Sequence, residues 1–310
     1  MKDIDQALGF APDDDAPIPY MLRTREYYRA IGYDTPYRWA HHIQAPFQPL
    51  GKPLARSRVA IVTTAAPFRP DKGDQGPGAA YNGGAKFYQV YAGDAAAPHD
   101  LRISHIGYDR KHTTATDSGT WFPLPALIRA AAAGRIGGVA PRYFGAPTNR
   151  SHRVTVETDA PDILARCRDD AVDAVVLVPN CPVCHQTVSL VARHLEANGI
   201  ATVITGCAKD IVEHAAVPRF LFNDFPLGNS AGRPQDPASQ DFTLELALRV
   251  LESAPGPQTT VQSPLRWSAD GAWKRDYLNL AAIPPDELER RRREFDQQKD
   301  IARSIRENAA

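Results

Sequence analysis

The chain has 310 residues, enough for one large or two small domains, and 43% of them are hydrophobic, so a substantial core can form. Lysine plus arginine and aspartate plus glutamate each number 36, and a net charge of zero argues against nucleic acid or an anionic membrane as the main partner. No run reaches the ~20 apolar residues of a bilayer span, and Met1 to Asp15 lacks the basic-then-apolar layout of a signal peptide, so a cytoplasmic, reducing location is expected.

Residues 1–57 read as an N-terminal arm, with a short helix from Met21 to Ile31 and a proline-punctuated stretch from Tyr37 to Pro53. Its dense aromatics suit packing against the sheet or a subunit partner. Arg58 to Thr64 is a continuous apolar run and predicts a buried parallel strand. The Gly- and Pro-rich segment Ala65 to Gly84 predicts a long mobile loop. Strands are expected over 101–106 and 136–140, with a helix over 123–133 between them.

The second half alternates more regularly. Helices are expected over 160–169, 186–198, 208–215 and 237–253, and strands over 174–178, 200–205 and 219–223. This is the pattern of a parallel α/β sheet. Pro284 to Glu307 reads as a charged C-terminal helix, opened by proline and acids and faced with salt-bridged arginines. The expected fold is α/β: two Rossmann-like lobes with parallel sheets, over 58–150 and 151–255, with a cleft between them. The arm and a C-terminal extension over 256–310 complete it.

The four cysteines are Cys167, Cys181, Cys184 and Cys207. A reducing compartment makes a structural disulfide unexpected, and a close pair points to catalysis or metal. Cys181-Pro-Val-Cys184 follows the 174–178 strand directly. That places it at a strand's carboxyl end, where open α/β sheets bind ligands. A helix N-terminus beside it would favour thiolate. Cys181 suits attack, and Cys184 suits resolving the product into a disulfide. The alternatives are a transition-metal site (zinc, iron or copper) built from Cys181, Cys184, His105 and His112, or two small residues at a tight turn. Cys181 to His185 also spells a haem-attachment motif, which the α/β pattern and the lack of an export signal disfavour.

Further candidates sit past other strands. His105-Ile-Gly-Tyr108-Asp109 and His112 could orient a carboxylate, transfer protons or bind a metal; the bland alternative is a structural His–Asp pair. Arg142 could hold a carboxylate through two hydrogen bonds. The loop 223–234 offers Asp224, Asn229 and Arg233 as a pocket wall. No dinucleotide fingerprint or phosphate loop is present.

The pieces Val59-Ala-Ile-Val-Thr-Thr64, His105 to Asp109, Gly137 to Arg142, Asp173 to Cys184 and Phe225 to Pro234 together resemble the glycine/sarcosine/betaine reductase selenoprotein B family. In that family a selenocysteine occupies the position of Cys181 and attacks the carbon bearing the substrate's amine, so that reductive C–N cleavage follows. The resemblance implies that Cys181 is the nucleophile and Cys184 its redox partner. Its known enzymes also use a pyruvoyl-bearing subunit and an acceptor selenoprotein. This chain supplies neither a pyruvoyl group nor selenium, and looks like a stand-alone, cysteine-containing relative.

The expectation is a thiol-dependent oxidoreductase without a resident cofactor. It would take a small amine- or carboxylate-bearing substrate, with His105 or His112 as proton donor and Arg142 or Arg233 holding an anion. A thiol/disulfide electron donor and a homo-oligomeric state are expected. The alternatives are a metal-dependent enzyme and a non-catalytic subunit of a reductase complex.

Overall fold

A computed structural model describes residues 15–308 except 34, 36 and 104. The first 14 residues of the expected arm, and Ser104 of the expected 101–106 strand, lie outside the described residues. The structure is α/β, built on one mostly parallel sheet. Its strands are β1 (Arg58–Thr63), β3 (Tyr91–Asp94), β5 (Gly138–Val139), β6 (Arg142–Gly145), β7 (Ala174–Val178), β8 (Ala201–Gly206), β9 (Arg219–Phe222) and β10 (Thr259–Gln262). They run in the order β10-β9-β8-β7-β1-β6-β3, with β5 also paired to β1. Only β3 is antiparallel to its neighbour in this sheet. A separate antiparallel pair joins β2 (Ala66–Pro67) to β4 (Leu101–Arg102).

Strands from both expected lobes meet in this one sheet. Val59 to Thr63 on β1 pair with Ala174 to Val178 on β7, so the two halves join edge to edge rather than across a cleft between two sheets. The strands are buried on both faces, as their unbroken apolar runs foretell. Val59 and Ile61 of β1, and Ala174, Val176 and Val178 of β7, face one core. Ala60, Val62, Val175 and Leu177 face the other, which is the two-residue alternation of a pleated strand.

Helices cover the two faces: α2 (Leu124–Ala132) and α6 (Pro237–Ser253) on one, α3 (Ala160–Asp169) and α4 (Pro182–Ala197) on the other. The shorter α5 (Lys209–His214) follows β8, and α1 (Tyr20–Ala30) and α7 (Pro285–Asn308) lie toward the chain ends. A π-helical turn over Thr155–Asp159 leads into α3 just before Pro161. Proline cannot donate to the carbonyl four residues back, and a widened turn accommodates that loss. Among the described residues no helix is long and apolar enough to cross a membrane.

The arm does not end where its helix ends. It runs along α4, where the Ala40 N–H donates to Gln186 Oε1 at 2.6 Å. Farther on, the Gln48 N–H donates to the Glu196 carboxylate. Glu196 also accepts from Thr202 Oγ1 at 2.8 Å and from Arg219 Nη1 at 2.7 Å, and the ion pair is almost wholly buried. Phe47 of the arm caps it, its ring 4.1 Å from the Arg219 guanidinium. Burial lifts the Glu196 carboxyl above its ordinary range despite Arg219 and the amide donors. Arg219→Met should therefore cost about 3–5 kcal/mol in urea unfolding, because it strands a buried carboxylate. Arg219→Met with Glu196→Leu should recover most of that loss; a double variant as unstable as the single one would show that the pairing is not the cause.

Candidate functional site

Cys181 and Cys184 stand at the carboxyl end of β7. The helix starts earlier than the sequence suggests: Cys181 is its N-cap and Pro182 its first residue. Proline suits that position because the N–H it lacks would have no helical partner there. The Cys184 N–H donates to Cys181 Sγ at 3.3 Å, and the two sulfurs approach to 2.6 Å. Both are buried, Cys181 at 4% exposure and Cys184 at none.

Burial opposes charge on both sulfurs, and the pair shares its protons. On Cys184, the Cys181 thiol, the His105 imidazole and the Thr64 hydroxyl together outweigh burial and draw the pKa well below that of a free thiol. On Cys181, burial and the proton held toward Cys184 push it well above, while the charge of Arg150 acts the other way. The two thiols titrate as a unit, and the second proton is held more tightly than the first.

The turn is pinned by His185, which is fully buried. Its Nε2 accepts from the Cys207 and Ala208 N–H groups at 2.9 and 3.1 Å. The proton must then sit on Nδ1, which lies 2.8 Å from the Cys181 carbonyl. Gly206 makes room for the ring, since a Cβ there would stand 2.8 Å from Nε2. From the other side the 105–109 loop closes down: a Cβ on Gly107 would meet Pro182 at 2.9 Å and Cys181 Cβ at 3.7 Å. The Tyr277 hydroxyl holds this loop by donating to the Gly107 carbonyl at 2.9 Å.

Of the residues expected at the site, His105 reaches the thiols. It lies against Cys184, lines the cavity with Cys181, and its Nδ1 is buried with no partner among the described residues. The expected 101–106 strand stops at Arg102, and the chain then leaves as a loop that delivers His105. Tyr108 is buried beneath the Arg110 guanidinium, 4.0 Å from its ring. His112 is clamped between Asp109 at 2.9 Å and Asp276 at 3.2 Å. Asn229 is buried and bonded to Thr113 and Pro226. Asp224 pairs with Lys274, and Arg233 with Asp236.

Arg142 is placed elsewhere. It opens β6 at the amino end of the sheet and makes a two-armed pair with Asp170. Pro141, with no N–H, splits β5 from β6, so Arg142 begins a strand instead of ending one. Among the described residues no three of His, Cys, Asp and Glu are grouped so as to hold a metal ion, the set Cys181, Cys184, His105 and His112 included.

A cavity of about 60 Å³ opens beside Cys181, with Tyr81, Thr148 and Arg150 among its walls. The sequence reading missed Arg150. Its backbone lies in the left-handed region at φ 58°, a conformation worth noting in a residue other than glycine. Its Nη2 donates to the Tyr28 hydroxyl at 3.1 Å, and among the described residues it has no carboxylate partner. Arg110 was missed too. It donates to the carbonyls of Ala79 and His105, both at 2.7 Å, and so ties the long 65–84 loop to the His105 loop.

The chain is 29% identical to the D-proline reductase subunit gamma of Acetoanaerobium sticklandii over 224 residues, 71% of this chain and 89% of that one. It is 23% identical to the glycine reductase complex component B subunit gamma of Symbiobacterium thermophilum over 238 residues, 73% of this chain but about half (52%) of that relative. No family model and no solved structure matches. These relatives bear out the resemblance to the selenoprotein B reductases, and a reductase-related role follows.

Burial holds His185 neutral, its pKa drawn down to about 4. Its contribution to stability is complete above the free value of about 6.5 and is lost as pH falls toward 4. Asp159 and Asp210, raised by burial to about 6, oppose this in the same interval by gaining stability as they protonate, so the whole-protein curve blends the two. The ring itself gives the clean signal. In nitrogen-15 spectra His185 should stay a neutral Nδ1–H tautomer down to about pH 5. A titration midpoint near 6.5 would mean the pin is not formed.

Proposed function

We propose that this chain is the thiol-bearing component of a reductase that cleaves the carbon–nitrogen bond of an amine-bearing carboxylate. The arrangement of Cys181 and Cys184 carries this reading: two buried thiols in contact at a helix N-terminus. The names of the relatives point to D-proline and glycine, both amino acids with an amine and a carboxylate on one carbon.

The chemistry balances without a cofactor in this chain. One sulfur attacks the amine-bearing carbon, forming a C–S bond as the C–N bond breaks and the amine leaves with a proton. The second sulfur attacks the first, and the carbon takes the remaining proton. For a primary amine the net change is R–NH₂ plus two thiols to R–H, ammonia and a disulfide; for a ring amine such as D-proline the nitrogen stays on its other carbon and the ring opens. In both the carbon is reduced and the sulfurs are oxidised. A dithiol donor must then restore the pair.

Cys181 is the attacking sulfur by resemblance and by its place on the cavity wall; Cys184 resolves. The 2.6 Å contact between the sulfurs lets Cys184 take the proton of Cys181 as Cys181 attacks. His105, against Cys184 and open to the cavity, is placed to give or take the proton of the leaving amine. Arg150, a cation with no carboxylate partner among the described residues, is placed to hold the substrate's carboxylate. The relatives are named as subunits, which supports a complex in which a partner activates the amine.

A single turnover by reduced, donor-free protein tests this, alone and with co-purifying partners, on amino acids including D-proline and glycine. One Cys181–Cys184 disulfide should appear per C–N bond cleaved, read as ammonia from glycine and as the ring-opened amino acid from D-proline. Cys181→Ser should lower the rate at least about a thousandfold. Arg150→Gln should raise KM about tenfold or more. C–N cleavage at the normal rate by Cys181→Ser, or without disulfide, would instead make the chain a non-catalytic subunit.

A further inference from the structure

Outside the thiol cavity lies a larger chamber of about 700 Å³. Tyr28, Arg150 and Phe295 line both spaces, so the two adjoin. At roughly 10–15 Å³ for each water-sized atom, the inner space of about 60 Å³ has room for about four to six such atoms, a reacting group and little more. The outer volume is that of a complete small-molecule site.

Two groups of rings face this chamber. Tyr28 and Tyr33 each pack edge-on to Phe295, with centroids 5.6 and 5.3 Å away. Tyr37 and Trp39 form the second group, 4.5 Å apart. The Arg150 guanidinium sits between the groups, 5.4 Å from the Tyr28 ring and 5.9 Å from the Tyr37 ring. Arg38 and Lys299 add positive charge, as does Arg153, which also pairs with the exposed Glu157 at 3.6 Å; no aspartate or glutamate lines the chamber among the described residues. The chain as a whole is neutral, so this is a local excess of cations. Flat apolar faces select planar rings, and guanidinium groups select anions.

We propose that the outer chamber binds a planar aromatic group linked to a carboxylate, and that the substrate is an aromatic amino acid or its derivative rather than the smallest members of the class. The choice of substrate rests on Cys181 and Cys184 being the reaction centre; the binding site itself does not. The ring would lie between the two aromatic groups, with the carboxylate on Arg150 at the boundary and the amine-bearing carbon directed to the inner cavity.

Calorimetric titration of the full chain with indole-3-propionate tests the site, with tryptamine and acetate as controls. The aromatic anion should bind about tenfold or more tighter than either control, in wild-type and Cys181→Ser protein alike. Arg38→Ser and Trp39→Leu should each weaken it about tenfold, with the thermal midpoint checked to show that both variants fold. Equal affinity for tryptamine or acetate, or no loss in either folded variant, overturns the site. In the single-turnover assay tryptophan should be used about tenfold or more efficiently than glycine. Turnover of glycine but not tryptophan would sink this inference and leave the reductase reading standing; a bound probe with no amino acid turned over would do the reverse.

Discussion

One buried imidazole holds the candidate site together. His185 links the turn after β7 to the turn after β8, accepting two backbone N–H groups from one and facing the Cys181 carbonyl of the other. Without it, two peptide N–H groups would be buried with no acceptor, a cost of about 1–3 kcal/mol for each. The sulfurs of Cys181 and Cys184 meet because the backbone beneath them has one allowed position. Gly206 and Gly107 are the counterparts of that constraint, since any side chain at either position would meet the ring or the cysteine turn.

Around this fixed turn the remaining walls come from distant parts of the chain. The C-terminal extension reaches in through Tyr277 and Asp276, and α7 contributes Phe295. The arm contributes Tyr28 and, farther out, Tyr37 and Trp39. The sheet therefore supplies the chemistry, and the two chain ends shape the space in front of it. That division explains why the arm is so aromatic: its rings face a chamber as well as packing on one another.

The sequence made the α/β class legible because β1, β7 and β8 are unbroken apolar runs bounded by polar residues, and the helices between them are periodic. Other elements gave no such signal. Tyr91–Asp94 and Thr259–Gln262 are short edge strands with little apolar patterning. Pro182 reads as part of a turn, although the N-terminal position of a helix is where proline fits, so α4 looks as if it starts four residues later than it does. Arg142 looks like a ligand anchor until Pro141 is seen to split a strand and turn that residue to the amino end. Arg150 belongs to no motif and lies 31 positions before Cys181; only the fold brings it to the thiols. The residues nearest the cysteine pair were readable because motif and strand coincide there. The substrate-facing ones were not, because a cavity is assembled from tertiary contacts that spacing does not encode.

The depth of the cysteine pair carries a consequence of its own. With 4% and zero exposure, the sulfurs lie behind a space of only about 60 Å³. Thiol–disulfide exchange requires an incoming sulfur to line up with the bond it breaks. On the proposed chemistry, an oxidised pair so enclosed is screened from bulky thiols in its surroundings and exchanges slowly with them. The protein would then behave as a latch, holding a record of its last encounter with substrate until a reductant of matching shape resets it, and its oxidation state would follow molecular fit more closely than the ambient redox potential.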